Sequence, residues 1–312
     1  HDGALFAGTF GAGLFRHAPD APRLRTWRVA NAHATGLSSE DVYALLGAGR
    51  DRLLAGSFGG GVDEIALDGD RVTQLAPTAP DAADGRLDGI LDLAYDGEGA
   101  LWAATSEGVY RWDRGRDAFR YYRPAQAAGP SRNPGYSYAL LVDRRQRLWV
   151  GSGGGGLYLY RPQRDDFLEF RPDPDDPRAL SGDFVTALVE DRRGRLWVGT
   201  RSSALSVCRL RDAALECDRI GSGAGPRSLS HYNVTSLLEA ADGALWVGTG
   251  GGGLNQVRLD ADGGVAGIRR WTRDDGLADD IVMALVQAPD GALWLSTRGG
   301  LSRLDPATGR IA

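Results

Sequence analysis

The sequence contains no lysine, so all 36 of its basic side chains are arginines. Without lysine there is no Schiff-base nucleophile and no phosphate-loop lysine, and the glycine runs are therefore not nucleotide-binding loops. The arginines are interspersed with aspartates, and the formal net charge is -5. This distribution excludes the basic stripe of a nucleic-acid-binding protein.

Cysteine and histidine are also scarce, with two and four residues. The chain has no CxxC pair and no HExxH motif, so we expect neither a metal site nor a cofactor. No apolar run approaches the roughly 20 residues that cross a bilayer, and the first residues, "HDGALFAGTF", do not resemble a signal peptide. We therefore expect a soluble chain that contacts a membrane only through other parts of a longer parent protein.

Glycine, by contrast, is abundant, with 45 residues, and it follows a recurring motif. The motif reads "RLWVGTRSSAL" from Arg195, "RLWVGSGGGGL" from Arg147 and "ALWVGTGGGGL" from Ala244. Equivalent anchor residues, between 47 and 49 positions apart, are Phe6, Leu54, Trp102, Trp149, Trp197, Trp246 and Trp294. A repeat of this length with so many turn residues is typical of the blades of a β-propeller.

Each repeat predicts four short strands, which we call A to D. In order along a repeat they are exemplified by "FVTALVE", "LWVGT", "LYLYRP" and "DFLEFRP". The prediction is an all-β, seven-bladed β-propeller of four antiparallel strands per blade, forming a single domain over residues 1–312. The first copy lacks strand A and the last fades at "GRIA", so we expect ring closure to be incomplete within this chain, which would be a fragment of a larger protein.

The motif residues are interpreted as scaffold. We expect the anchor tryptophans to pack in the core and the glycines to supply tight turns and close approach between blades. A hydroxyl three positions after each anchor is expected to bind a backbone group of the turn. These hydroxyl residues are Thr9, Ser57, Thr105, Ser152, Thr200, Thr249 and Thr297. Three departures from the motif are Leu54, Ala104 and Ser296.

The two cysteines fall on consecutive predicted strands. If the turn "RDAA" pairs Leu210 with Leu215, Cys208 faces Cys217 across an antiparallel pair. A disulfide is then possible and would indicate an oxidising compartment. Two buried free thiols remain the alternative.

The loops between strands B and C, which we call the B–C loops, and the segments that lead into strand A, which we call the lead-in segments, lie on one face of a propeller. We expect ligand-binding residues at positions on this face where the sequence departs from the repeat. In the B–C loops these residues are Phe10, Phe58, Glu107, Arg201 and Arg298, and in the lead-in segments they are Asp41, Asp88, Tyr136, Asp183, His231, Tyr232, Asn233 and Asp280. Aromatic rings stack on sugars and arginines bind carboxylate or sulfate, so this mixture favours a saccharide or an anionic oligosaccharide.

The run "ALVEDRRGRLWVGT", followed by a leucine and preceded by the spacer "DPDDPRALSGDFV", resembles the regulator propeller repeat. This repeat occurs in periplasmic sensor regions of bacterial hybrid two-component systems and of membrane-bound diguanylate cyclases. The resemblance implies seven-bladed propellers, often two in tandem, followed by a β-sandwich domain, a membrane-spanning helix and a cytoplasmic kinase or cyclase.

Three functions are therefore open. The leading hypothesis is a non-catalytic periplasmic or extracellular sensor module, because the even blade length leaves no long loops to build a catalytic site. The second is a polysaccharide lyase or hydrolase that uses His231, Tyr232 or the pair Asp183 and Asp280 in acid–base catalysis. The third is a protein-interaction platform with a flat apolar face. A homodimer is compatible with all three.

Overall fold

The computed structural model describes residues 3–18, 24–29, 36–69, 71–75, 89–113, 118–122 and 136–312, and it is all-β. Asp88 lies outside the described residues. Its seven antiparallel sheets are the blades of a seven-bladed β-propeller, as the repeat predicts. In the described part of the chain the helical structure is a three-residue 3-10 turn at Arg273–Asp275, and no helix is long and apolar enough to cross a membrane.

The blades follow the chain in order. Blade 1 contains β1 (Leu5–Gly8), β2 (Leu14–His17) and β3 (Arg25–Trp27). Blade 2 contains β4 (Val42–Gly47), β5 (Arg52–Ser57), β6 (Gly61–Ala66) and β7 (Val72–Leu75). Blade 3 contains β8 (Ile90–Tyr95), β9 (Leu101–Thr105), β10 (Val109–Asp113) and β11 (Ala118–Tyr122). Blade 4 contains β12 (Ser137–Val142), β13 (Leu148–Ser152), β14 (Gly156–Arg161) and β15 (Asp166–Phe170).

The remaining blades repeat this order. Blade 5 contains β16 (Val185–Glu190), β17 (Leu196–Thr200), β18 (Leu205–Arg211) and β19 (Ala214–Ile220). Blade 6 contains β20 (Val234–Glu239), β21 (Leu245–Thr249), β22 (Leu254–Leu259) and β23 (Val265–Trp271). Blade 7 contains β24 (Val282–Gln287), β25 (Leu293–Thr297) and β26 (Gly300–Leu304), and Leu304 forms an isolated bridge with Ile311.

The chain divides into two compact units. The first unit contains residues 1–150 and 159–167, and the second contains residues 151–158 and 168–312. Blades 1 to 3 thus belong to the first unit and blades 5 to 7 to the second, while the division passes through blade 4.

Strand A begins with a β-bulge in blades 2, 3, 5, 6 and 7. In blade 5 the register with strand B shifts between Val185 and Ala187, so Thr186 is left out of the pairing. The same shift leaves out Tyr43, Leu91, Thr235 and Met283 in the other four blades. A bulge re-aims the side chain that it releases from the ladder, and the second residue of strand A therefore becomes available for contacts outside its own sheet.

Four of the five anchor tryptophans are packing residues as predicted: Trp102, Trp149, Trp197 and Trp246 are fully buried, while Trp294 is half-buried. The glycine two positions after each anchor is fixed by the neighbouring blade. A Cβ on Gly199 would lie 2.5 Å from Val234 Cγ1, which starts strand A of the next blade. Ala104 departs from this rule, and the residue at the start of the next strand A is there Ser137, which is smaller than valine. A reduced neighbour thus makes room for the extra methyl group.

The aspartate of the turn between strands A and B has a role that the sequence analysis did not assign. Asp191 accepts the indole N–H of Trp197 at 2.8 Å and binds Arg195 Nε at 2.6 Å. Asp96 and Asp143 accept the corresponding indoles in blades 3 and 4. These aspartates join the turn to the buried ring, in addition to shaping the hairpin.

Cys208 and Cys217 lie opposite each other in the register that the turn predicts, with Leu210 paired to Leu215. The structure places a disulfide between these two buried cysteines. It links β18 to β19 within the second unit.

Candidate functional site

The B–C loops are held by the hydroxyl groups of the motif. Thr200 Oγ1 donates to the carbonyl of Ala204 at 3.1 Å, and it also accepts the backbone N–H of Ser203 at 3.0 Å. The equivalent side-chain bond to the loop carbonyl forms in all seven blades, from Thr9, Ser57, Thr105, Ser152, Thr249 and Thr297 as well as from Thr200. The predicted role of this hydroxyl is therefore confirmed.

Backbone bonds to the lead-in segments complete the frame. In blade 5 the N–H of Arg201 donates to the carbonyl of Phe184 at 2.9 Å, and the N–H of Ala204 donates to Tyr232 of the next lead-in segment at 2.9 Å. Ala204 has φ of 58°, a left-handed conformation that glycine adopts at the matching Gly156 and Gly253. The loop "RSSA" thus keeps the backbone of the glycine loops while presenting different side chains.

In blades 1 and 2 of the first unit, an aromatic residue directly follows the loop hydroxyl. Phe10, Phe58 and the bulge residue Tyr43 are 80%, 48% and 49% exposed. The ring centroids of Phe10 and Tyr43 are 6.3 Å apart with planes at 85°, and those of Tyr43 and Phe58 are 6.4 Å apart with planes at 55°. We call these three residues the aromatic cluster. Burial, and then the negative charge of Asp41, raise the pKa of Tyr43.

The other predicted residues of the first unit are not part of the aromatic cluster. Tyr136 is 40% exposed and stacks on Tyr138 with centroids 6.1 Å apart. Glu107 is exposed at the B–C loop of blade 3, where its carbonyl accepts the hydroxyl proton of Tyr121.

In blades 5 and 7 of the second unit, an arginine directly follows the loop hydroxyl. The Arg201 guanidinium lies 5.0 Å from the centre of the Phe184 ring, which is a cation–π distance. The N–H of Arg298 donates to Ile281 at 3.0 Å. Among the described residues no carboxylate pairs with either arginine. Both exposed guanidinium groups can therefore bind an anionic or strongly polar group.

A second cluster in this unit belongs to the lead-in segment of blade 6. The rings of His231 and Tyr232 are stacked with centroids 4.2 Å apart. His231 Nδ1 accepts the backbone N–H of Asn233 at 3.1 Å, so in the neutral imidazole the proton is on Nε2. A Cβ on Gly251 would lie 3.4 Å from His231 Nε2, so this imidazole packs over the glycine loop of blade 6.

The aspartates suggested as an acid–base pair have structural contacts. The Asp183 carbonyl accepts the N–H groups of Gly154 and Gly156. The Asp280 carbonyl accepts the N–H of Gly253, and its carboxylate accepts the N–H of Arg273 at 2.8 Å. Both residues thus help to hold a B–C loop in place.

Asp92 is a carboxylate within strand A of blade 3 that the sequence analysis did not select. Its two oxygens accept the N–H groups of Leu140 and Leu93 at 2.7 and 2.8 Å. Burial raises the pKa of Asp92 to about 6, and the two hydrogen bonds oppose this shift. Within the ranges described, no group of three or more His, Cys, Asp or Glu side chains is arranged to hold a metal.

Sequence reasoning also missed Tyr43, Tyr138 and Phe184. A signal for the first two exists in the repeat, because the second residue of strand A changes from blade to blade. This position holds Tyr43, Leu91, Tyr138, Thr186, Thr235 and Met283. An apolar residue at the second position of a strand is interpreted as core unless the bulge is known, and this is why the exposed Tyr43 and the half-buried Tyr138 were not selected.

Residues 179–202 and 228–251 match the two component regulator propeller family. Each matched segment runs from a lead-in segment through strands A and B, in blades 5 and 6. The matched segments contain Arg201, His231, Tyr232 and Asn233. The resemblance predicted from the motif is thereby confirmed. The comparison with curated proteins gives no match.

Solved structures that resemble this chain share its fold at low identity. One is PorZ, a surface component of the type-IX secretion system of Porphyromonas gingivalis, with 18% identity, a TM-score of 0.69, and coverage of 96% of this chain and 45% of PorZ. Another is a streptogramin B lyase, with 14% identity, a TM-score of 0.60 and coverage of 87% and 81%.

A third is the extracellular domain of BT4673, a putative one component system of B. thetaiotaomicron, with 13% identity, a TM-score of 0.47 and coverage of 99% and 53%. This chain therefore spans about half the length of the BT4673 domain and of PorZ.

Proposed function

We propose that this chain is a non-catalytic, ligand-binding sensor module of a signal-transduction protein and that it acts in the periplasm or outside the cell. The match of residues 179–202 and 228–251 to the two component regulator propeller family carries this proposal. The likeness to an extracellular domain described as part of a putative one component system is consistent with it. We further propose that the chain is one propeller domain of a longer protein, whose output domain lies elsewhere.

The ligand of this module is a saccharide or another small polar molecule. Arg201 and Arg298 offer guanidinium groups that no described carboxylate occupies, on loops whose backbone is bonded to the lead-in segments. Tyr232 is 51% exposed and stacked on His231, so it presents an aromatic face beside polar donors. Because the loops are already fixed, little conformational entropy is lost when a ligand binds.

An extracytoplasmic location is supported by the disulfide between Cys208 and Cys217. Disulfides persist in oxidising compartments and are rare in the cytosol. The absence of lysine does not oppose this location, since arginine provides all the cations of the surface.

A glycan-array screen tests the proposal with four proteins: the wild type, Arg201→Ala, Arg298→Ala and the control Arg209→Ala. Arg209 is exposed on β18, away from the B–C loops. We expect the wild type and the control to bind the same glycans, and the two loop variants to lose at least about tenfold in affinity. Equal binding by all four proteins, or binding by none, would reject a saccharide site at these loops.

A further inference from the structure

The aromatic cluster of the first unit is exposed to a degree that needs an explanation. Three large rings, Phe10, Tyr43 and Phe58, are each between 48% and 80% accessible and adjoin one another. Contiguous exposed aromatic surface is unusual in soluble proteins and marks binding sites. The cluster is also absent from the matching positions of blades 5 to 7, which carry Arg201, Gly250 and Arg298 after the loop hydroxyl.

The backbone holds the three rings in place. The N–H of Phe58 donates to the carbonyl of Asp41 at 2.9 Å, and Ser39 Oγ donates to the carbonyl of Phe58 at 2.7 Å. The N–H of Val42, next to Tyr43, donates to Thr9 at 2.9 Å, next to Phe10. Each ring is therefore attached to a backbone segment that is hydrogen-bonded to the segment carrying an adjacent ring.

The three rings are tilted relative to one another and do not form a flat surface. The planes of Phe10 and Tyr43 are nearly perpendicular, with centroids 6.3 Å apart. A cation that contacts the exposed face of one of these rings within about 6 Å of its centroid would be held by cation–π attraction. The Phe58 ring, tilted by 55° from Tyr43, adds a third side. A pyranose could stack on only one of these rings at a time, because the tilted planes offer no common flat surface.

A negative charge accompanies the rings. Asp41 lies two residues before Tyr43, and its carbonyl accepts the N–H of Phe58 at 2.9 Å, so it belongs to the segment that carries the rings. Burial, and then the charge of this carboxylate, raise the pKa of Tyr43. In the described part of the chain no side chain or backbone donor is bonded to this carboxylate. Aromatic faces carry negative electrostatic potential, so the rings and the carboxylate favour the same sign of ligand.

We propose that Phe10, Tyr43, Phe58 and Asp41 form a binding site for a small organic cation that carries a quaternary ammonium group. The methyl groups of such a cation contact the rings, and its charge is balanced by Asp41. A quaternary ammonium suits this site because its methyl groups share the positive charge and can contact the exposed rings directly.

The site is tested by calorimetric titration of the 312-residue chain with choline and with 3,3-dimethyl-1-butanol, which has the same shape and no charge. We expect choline to bind at least about tenfold more tightly than the neutral analogue. Methyl glucoside is the third probe. Equal affinity for the neutral analogue identifies a merely apolar patch, tighter binding of methyl glucoside identifies a sugar site, and no heat with choline excludes the cation. Each of these three results overturns the proposal.

Two variants and their matched controls assign the binding to the cluster. Tyr43→Ala is expected to weaken choline binding at least about tenfold, and Asp41→Asn about three- to tenfold. Met283→Ala changes an exposed residue at the same position of strand A in blade 7, and Asp68→Asn changes an exposed carboxylate of the first unit. Both controls should bind like the wild type. Equal losses in the controls and the variants contradict the assignment, and unchanged thermal unfolding shows that all four fold.

A trimethylammonium group can come from a free solute or from a lipid headgroup. Cosedimentation with phosphatidylcholine vesicles, compared with phosphatidylglycerol vesicles, separates these sources, and Tyr43→Ala should abolish the binding in either case. The inference does not depend on a role in sensing or on a saccharide ligand. A negative glycan screen would not affect the proposal of a cation site, and a negative choline titration would not affect the proposal for the Arg201 and Arg298 loops.

Discussion

The B–C loops of the two units share a backbone frame and differ in chemistry. Directly after the loop hydroxyl, the first unit carries Phe10 and Phe58, whereas the second unit carries Arg201 and Arg298. The hydroxyl bond that holds the loop is the same in all four blades. Under the two proposals made above, single side chains on a constant support decide ligand preference, with cations favoured in one unit and anions or polar groups in the other.

The bulge residue of strand A differs in the same way. In the second unit, Thr186 and Thr235 donate their hydroxyl protons to the carbonyls of Val234 and Val282, each at the start of the next strand A. In the first unit the position holds Tyr43, whose ring is exposed instead. Blades 5 and 6 use this position to join neighbouring blades, whereas blade 2 uses it to enlarge an exposed surface and blade 7 carries the exposed Met283 there.

The largest expected difference between the units is in the stability lost when the aspartate that accepts the indole N–H of the anchor tryptophan is removed. Asp191 and Arg195 have side-chain exposures of 4% and 3%, whereas Arg111, the partner of Asp96, is 24% exposed and also binds Glu98. Asp191→Ala leaves a buried guanidinium and a buried indole N–H unpaired, and should cost about 3–5 kcal/mol of unfolding free energy. Asp96→Ala should cost about 1–3 kcal/mol.

Urea unfolding at pH 7 measures both losses, and the double variant Asp191→Ala/Arg195→Leu should recover part of the first. Burial raises the pKa of Asp191, but bonds from Trp197 and Arg195 outweigh it and hold the pKa below its ordinary value. The contribution of Asp191 is therefore present above the pKa of the unfolded chain, about 4, and is lost as the pH falls through the lower folded value. Equal losses in the two units would contradict the difference in burial.

The repeat predicts the blades and the cysteine register because period and turn composition directly reflect strand pairing. It does not predict the Asp191–Trp197 bond, because an aspartate before a glycine or arginine is already explained by the turn. Similarly, a hydroxyl that recurs in every repeat identifies the loop clamp, but nothing in the repeat shows that a bulge turns Tyr43 outward. Contacts between repeats depend on the residue that the neighbouring blade supplies, and a single period does not contain that information.

The second prediction introduces into the second unit the residue pair that packs between blades 3 and 4 of the chain, an alanine opposite a serine. Gly199→Ala places a methyl group within 2.5 Å of Val234 Cγ1 and should destabilise the chain by about 1–3 kcal/mol. The first unit contains the compatible pair Ala104 and Ser137, both fully buried. In a double-mutant cycle, Gly199→Ala/Val234→Ser should therefore be less destabilised than the two single variants together. Additive losses would show that Ser137 does not explain the tolerance of Ala104.

The smallest expected effect concerns pH. Asp92 lies on strand A of the first unit, where blades 5, 6 and 7 have Ala187, Ser236 and Ala284. Its folded pKa of about 6 is higher than the ordinary value of 3.8, so the native state binds the proton more tightly. Its contribution to stability is complete below about pH 4 and is lost as the pH rises toward 6.

Asp92→Asn removes this titration. The free energy of unfolding of Asp92→Asn minus that of the wild type should rise between pH 4 and 6, by no more than about 2 kcal/mol, and then level off. Chemical unfolding at a series of pH values measures the difference. A constant difference across this range would show that the carboxyl is not perturbed in the folded chain.

The bonds that surround each B–C loop also affect how such a domain can diversify. In blade 5 the clamp formed by Thr200, the lead-in carbonyl of Phe184 and the carbonyl of Tyr232 uses backbone atoms of the loop and none of its side chains. The exposed loop residues Arg201 and Ser202 can therefore change without altering the support, whereas a Cβ on Gly155 or Gly252 of the glycine loops would lie 2.4 or 2.6 Å from the nearest neighbouring atom. A gene of this type can acquire a new specificity by point substitution in one repeat while the other six preserve the fold.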